Sequence, residues 1–336
     1  VLALLDAARP EQRNPNLLLA AVHDLLLAGA DHPLAARYAT VVEARGGDGE
    51  EVARRVAQDR NGDPWPDFAD FCRTRRDALA AILADSATQT NEVGRCTALL
   101  PALAEVARAH GPLALVDLGT SAGLNLHLES YAYRYRPADG GPVLPAGAAR
   151  SPVVLDCALR ATDPPRATPP ITWRAGVDQR PRDPADPAAA RWLLACQWPD
   201  DLARFRRARA ALALAARADH RPELLAGDLV DLLPAVASRA PAGVRLCLVH
   251  TWVAAYLPEH RQAELVATVA RLSAERPVSW IWAELPVMVP GLPSAPAPGT
   301  EDRRATALVL VEADRGRLEA RRLADLHPHG AWLRWF

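Results

Sequence analysis

Five short apolar runs separated by helical stretches dominate the chain from residue 113 onward: Leu113–Leu118, Ile171–Val177, Glu223–Ala226, Val244–Val249 and Pro277–Ala283. Runs this short, apolar without alternation, read as strands buried on both faces. Pro187–Leu194, Asp200–Ala218, Leu229–Ser238 and Glu259–Ala274 carry helical spacing between them. That rhythm predicts an α/β fold, a doubly wound, mostly parallel sheet with helices on both faces. Thr306–Ala313, a turn at Asp314-Arg315-Gly316, Leu318–Leu326 and Trp332–Phe336 follow without helices, which predicts an antiparallel finish on one sheet edge. Residues 1–110 are helical in pattern, with Leu17–Leu27, Asp70–Ala84 and Asn91–His110, the last stopped by Gly111-Pro112. The expected organisation is a helical N-terminal cap over 1–110 and an α/β domain over 111–336 with an insertion at about 131–170. Tyr131–Pro170 and the proline-rich Pro286–Pro298 interrupt the scheme, and loops of such length are candidate lids.

Composition removes several chemistries. All 39 basic residues are Arg, so a Schiff-base Lys, a pyridoxal-phosphate Lys and the Lys of a P-loop are excluded. Net charge is −1, which gives no footprint for nucleic acid or an anionic membrane. The longest apolar runs fall far short of a helical span. The five cysteines (Cys72, Cys96, Cys157, Cys196, Cys247) form no CxxC pair, so neither zinc nor a disulfide framework is expected, and reduced thiols point to a cytoplasmic location. Val1–Ala8 already reads as helix, so the sequence is expected to begin inside a domain.

Ligands of open parallel sheets bind outside the carboxyl ends of the strands. Those ends carry Asp117-Leu118-Gly119, Asp178, Gly227-Asp228, His250-Thr251-Trp252 and Glu284. The strongest local signal is Asp117-Leu118-Gly119-Thr120-Ser121-Ala122-Gly123-Leu124-Asn125: strand, small-residue turn, helix start. A nicotinamide dinucleotide fingerprint wants G-x-G-x-x-G around a pyrophosphate. Here Ser121 stands between Gly119 and Gly123, and Asp117 suits a ligand bearing ammonium and hydroxyl groups better than a diphosphate. S-adenosylmethionine is such a ligand. Asp178 could accept both ribose hydroxyls, Asp228 the adenine amino group, and Trp252 or Leu229 could face the adenine. Asp178 and Asp228 could equally cap the helices that follow them.

The turn resembles the first motif of class I methyltransferases, with Ser121 in place of the central glycine. The wider chain resembles an actinobacterial family known as domain of unknown function 2332. The stretches that carry this are Gln89–Arg95, Asp117–Asn125, Ala175–Asp178, Val249-His250-Thr251 with Tyr256-Leu257-Pro258, and His327–Gly330. The resemblance implies a Rossmann-like, methyltransferase-like fold and brings no known reaction. About 55 residues separate Gly123 from Asp178, where the plain pattern has about twenty, so Asp156 rivals Asp178 as the ribose acid.

His250 is placed to act as a general base for an O or N nucleophile of a small-molecule substrate. Glu284 could orient a substrate amine, or pair with a buried Arg. Asn91, Glu92 and Arg95 form a polar set expected on one helix face, with Glu92 and Arg95 paired, closing the pocket beside Gln89 and Tyr256. His329 could line the site from a C-terminal turn; with His327 it lacks an obvious third metal ligand, and no metal is expected. Tyr131, Tyr133 and Tyr135 alternate on one strand face as a packed surface. Methyl transfer is the expected activity. A scaffold that binds a ligand or partner without catalysis is the alternative, and a nicotinamide-dependent oxidoreductase the more distant one. Oligomeric state is not legible in the sequence.

Overall fold

The computed structural model describes residues 1–58, 62–219, 221–285 and 305–336. The proline-rich stretch expected as a second lid, Pro286–Pro298, lies outside them. The chain divides into two compact units: residues 1–91 with 183–213, and residues 92–182 with 214–336. The division places residues 92–110 with the sheet, whereas the sequence reading put them with the helical cap. It also takes residues 183–213, expected as an ordinary crossover, into the first unit.

The described residues of the first unit are helical. The helix Pro15–Leu27 starts where Asn14 accepts from the Leu17 N–H at 3.1 Å, and Pro15 supplies a first residue that needs no N–H partner. Its face of Leu17, Leu18, Val22 and Leu26 packs with Leu34, Phe71, Leu79, Leu83 and Trp192. The stretch Asp70–Ala84 is not one helix; it breaks at Arg75 between Trp65–Thr74 and Arg76–Asp85. His23 joins the two sequence segments of this unit through Ala195 O (3.1 Å) and Thr40 Oγ1 (2.8 Å). Burial lowers its pKa to about 4.

The second unit is built on a sheet whose strands are β1 (Leu113–Leu118), β2 (Ala132–Arg136), β3 (Leu144–Gly147), β4 (Val154–Leu159), β5 (Ile171–Asp178), β6 (Glu223–Ala226), β7 (Arg245–Thr251), β8 (Val278–Glu284), β9 (Thr306–Asp314), β10 (Arg317–Leu326) and β11 (Trp332–Trp335). Their order is β3-β2-β4-β11-β10-β9-β8-β7-β1-β5-β6. The sheet is mixed and mostly parallel: β6, β5, β1, β7 and β8 run parallel to one another, and β9 and β10 are antiparallel to their neighbours. Strand order reverses at β1, with β5 on one side and β7 on the other. The helices Leu229–Arg239 and Glu259–Glu275 share a core with Val116, Leu118, Leu248, Trp280 and Trp282. Alternation turns Leu113, Leu115 and Asp117 to the opposite face.

Two expectations are corrected. The β9–β11 finish is not an edge, because β4, β2 and β3 continue the sheet beyond β11. The insertion Tyr131–Pro170 is accordingly not a lid; it supplies β2, β3 and β4. Tyr131, Tyr133 and Tyr135 are buried, and their hydroxyls donate to Leu124 O, Leu128 O and Thr97 O at 2.6, 2.6 and 2.8 Å. These are packing positions, as expected.

Candidate functional site

The turn after β1 is made by three left-handed residues, Gly119 (φ +78°), Ser121 (φ +52°) and Gly123 (φ +72°). Glycine takes such values freely, whereas Ser121 is strained there. The turn is pinned towards β5: the Gly119 and Thr120 N–H groups donate to Val177 O at 2.7 and 3.1 Å. Gly176 of β5 makes room for it, since a Cβ there would lie 2.5 Å from the Thr120 side chain. The Thr120 hydroxyl donates to Asp117 Oδ2 at 3.1 Å. Burial pushes the Asp117 carboxyl up to about 7 against the downward pull of that bond. Ser121 Oγ is buried and has no hydrogen-bond partner among the described residues.

Asp178, at the end of β5, accepts from the Ser121 N–H with Oδ2 (2.9 Å) and from the Arg180 N–H with Oδ1 (2.8 Å). It therefore holds the turn in shape, and each oxygen keeps a lone pair beyond these two bonds. Asp156 is removed from the contest. It sits on β4, six strand positions from β1, or roughly 29 Å at the usual strand spacing, and pairs with Arg134 and Arg136. Asp228 caps the helix Leu229–Arg239 through the Val230 N–H at 2.8 Å and pairs with Arg261, with these contacts on Oδ1. A helix-capping carboxylate was one of the two readings open from sequence.

Beyond β7 the chain folds back over the turn. A Cβ on Gly119 would lie 2.4 Å from Val253 Cγ2. Trp252 has φ +56° and donates its ring N–H to Thr306 Oγ1 at 3.2 Å; the Arg95 guanidinium stands 5.9 Å over its ring. Tyr256 is 72% exposed.

Glu92 and Arg95 lie in the second unit and Asn91 in the first, as does Gln89. The polar set is not on a regular helix face: helix starts only at Val93, as a tight turn running into Cys96–His110. Glu92 Oε1 accepts from the Gly94 N–H at 2.9 Å and Oε2 lies 3.8 Å from His329 Nδ1. Arg95 donates to Thr251 O and Oγ1, both 3.2 Å, and to Pro328 O at 2.9 Å. Asn125 accepts from the Cys96 thiol at 3.3 Å. Gly94 and Gly330 let the two backbones touch, since a Cβ on Gly330 would meet Gly94 O at 1.9 Å. Glu92, Arg95, Thr251 and His329 thus form one connected cluster on the Asp117 side of the strand ends.

His250 and Glu284 form a second cluster on the other face. His250 Nδ1 and Glu284 Oε1 are 2.7 Å apart, with both side chains 1% exposed. The same Oε1 accepts from the Val253 and Ala254 N–H groups at 2.7 and 3.2 Å. Among the described residues Glu284 therefore does not pair with Arg, and its Oε1 is spoken for. His250 Nε2 and Glu284 Oε2 are buried without a hydrogen-bond partner among the described residues, as are the ring nitrogens of Trp280 and Trp282.

A family model for an uncharacterized protein conserved in bacteria, DUF2332, matches residues 1–335. The chain belongs to the DUF2332 family. No curated protein matches it. Among the described residues of this DUF2332 chain, no three His, Cys, Asp or Glu side chains group so as to hold a metal ion, and no helix is long and apolar enough to cross a membrane.

Sequence reasoning missed three things in this DUF2332 chain. The His250–Glu284 pair depends on the β7–β8 register, in which His250 stands opposite Trp282; the only advance sign was that both residues end neighbouring strands. The Val253 contact on Gly119 had no sign at all. Gly119-Thr120-Ser121-Ala122-Gly123 also fits the G-x-S-x-G spacing of a nucleophile elbow, and the strained Ser121 suits that pattern. However, no hydrogen bond joins Ser121 Oγ to His250 Nε2, and the turn leans to β5 rather than to β7. Among the described residues Ser121 makes no nucleophile–base contact of the kind acyl transfer requires.

Proposed function

We propose that the second unit is a Rossmann-like domain that binds S-adenosylmethionine around the β1 turn and transfers its methyl group to an O or N nucleophile of a small molecule. One observation carries the reading. The turn lies where strand order reverses, which is where open parallel sheets hold nucleotide-like ligands, and it presents a buried hydroxyl, Ser121 Oγ, that no described residue satisfies. A buried polar atom left without a partner costs about 1–3 kcal/mol, and a ligand hydroxyl or amine would relieve it.

The residues present fit the cofactor. Asp117, Ser121 and Asn125 would receive its amino-acid end, Gly119, Thr120 and Gly123 shape the turn around it, and the remaining lone pairs of Asp178 would take the ribose. Asp228 Oδ2 and the Trp252 ring are the groups available to adenine. When bound, the cofactor supplies an electrophilic methyl group. The chain's own work is to orient the acceptor and take its proton: His250 Nε2 is the acceptor atom for that proton, and Glu92, Arg95 and His329 stand on the other, Asp117 face of the strand ends. In-line displacement gains most of its rate from such positioning.

Calorimetric titration with S-adenosylhomocysteine tests this. Saturable binding is expected, and Asp178→Ala, which releases the Ser121 and Arg180 N–H groups, should weaken it at least tenfold. Absence of binding by both S-adenosylhomocysteine and S-adenosylmethionine, with no rise in Tm at saturating concentration, would overturn it. A second reading, a ligand-binding or partner scaffold without catalysis, is favoured by Val253, which packs on Gly119 where the ligand would approach. Binding without any turnover against a broad panel of hydroxyl and amine acceptors would support that reading.

A further inference from the structure

We infer that Glu284 is a positioning residue, one that fixes His250 in the tautomer whose bare nitrogen is Nε2. The inference rests on the reading of His250 as the proton acceptor and adds how that nitrogen is made available. The argument starts from donors and acceptors. A carboxylate can only accept, so the 2.7 Å contact between His250 Nδ1 and Glu284 Oε1 places the imidazole proton on Nδ1. In the neutral imidazole, Nε2 then carries a lone pair. It is buried, and no described residue donates to it.

The register explains why the pair is rigid. β7 and β8 run parallel with His250 beside Trp282, so Glu284, two residues on, projects from the same face just beyond it. The His250 ring also lies 5.6 Å from the Trp280 ring, which limits its rotation. Glu284 Oε1 is in turn clamped by the Val253 and Ala254 N–H groups. One oxygen thus gathers three donors, two from the backbone that follows β7 and one from the ring. The same clamp holds Val253 against Gly119. Should Nε2 take a proton from an acceptor, the ring's new charge falls beside a carboxylate already buried there.

Nitrogen-15 NMR of the full chain with labelled histidine reads the tautomer directly, the His250 signals being assigned by their loss in His250→Gln. Wild type should show a protonated Nδ1 and a bare Nε2. Glu284→Gln keeps an accepting oxygen among the same three donors and should preserve that pattern. Glu284→Ala should move the proton to Nε2 or give a mixture. A wild-type Nε2–H signal, or a Glu284→Ala protein that is folded and unchanged in tautomer, would overturn the inference; if Glu284→Ala does not fold, a Glu284→Gln spectrum with the proton on Nε2 would do so. The readout needs no cofactor. Failure to bind both S-adenosylhomocysteine and S-adenosylmethionine therefore sinks the proposed function alone, and a wrong tautomer in a protein that binds either sinks this inference alone.

Discussion

The β1 turn and the His250–Glu284 pair sit at the same end of one sheet, yet they use their carboxylates in opposite ways. At the turn, both Asp178 oxygens receive backbone N–H groups, one from each of two loops, so the protein shapes the loop by itself. At the pair, one Glu284 oxygen takes three donors while the other, together with His250 Nε2, is left with none among the described residues. The first arrangement builds a surface. The second stores unsatisfied polarity inside the protein, which costs stability.

Breaking the pair should give the largest effect. Glu284→Ala strands the His250 Nδ1–H and two backbone donors in a buried setting, and a loss of about 4 kcal/mol is expected in urea unfolding. A loss under 1 kcal/mol would mean that the pair is solvated and the contrast false. Gly330→Ala probes the other face of the strand ends. Its Cβ would collide with Gly94 O, and φ +74° disfavours any side chain, so a drop of about 3 kcal/mol should appear in the same measurement.

A pH series sharpens the comparison through Asp117. Its carboxyl is raised by burial to about 7, above its value in an unfolded chain of about 4. Between those values the native state holds a proton that the unfolded state has released. Stability from this group therefore declines as pH rises from about 4 to 7 and is fully lost above that. Asp117→Asn, which can still accept from Thr120, should be more stable than wild type at pH 8 and nearly equal to it at pH 4, read as Tm. His23 of the first unit works in the reverse direction: lowered to about 4, it costs stability as pH falls below about 6.5. The smallest effect belongs to Asp156→Ala, which removes partly exposed Arg pairs on a distant strand. It should cost under about 1 kcal/mol and leave S-adenosylhomocysteine affinity unchanged.

Much of the architecture was legible because buried strands announce themselves by composition. Leu113–Leu118 was placed to the residue, and the strands from Ile171 to the chain end within one or two. The insertion was misread as a lid although its period was present: Leu155, Cys157 and Leu159 are buried while Val154, Asp156 and Ala158 are exposed, the alternation of a half-covered strand. Proline and glycine around it carry the turn chemistry of a loop. At the site, the residues at strand ends could be named in advance but not their partners. Arg95 reaches Thr251 across 156 positions of sequence, and His250 reaches Glu284 across 34. Such pairings follow from strand order and register, which composition does not encode. Asp178 shows the limit most clearly: its place at a strand end was predictable, whereas its two backbone donors depend on how the Ser121 turn leans towards β5.

The most direct test of the account is photo-crosslinking of methyl-labelled S-adenosylmethionine to the intact chain, followed by peptide mapping. Label is expected in the peptide containing Gly119–Gly123, and excess unlabelled S-adenosylhomocysteine should abolish it. Label confined to other peptides, or label at the turn that the competitor does not reduce, would contradict the assignment of this turn as the cofactor site.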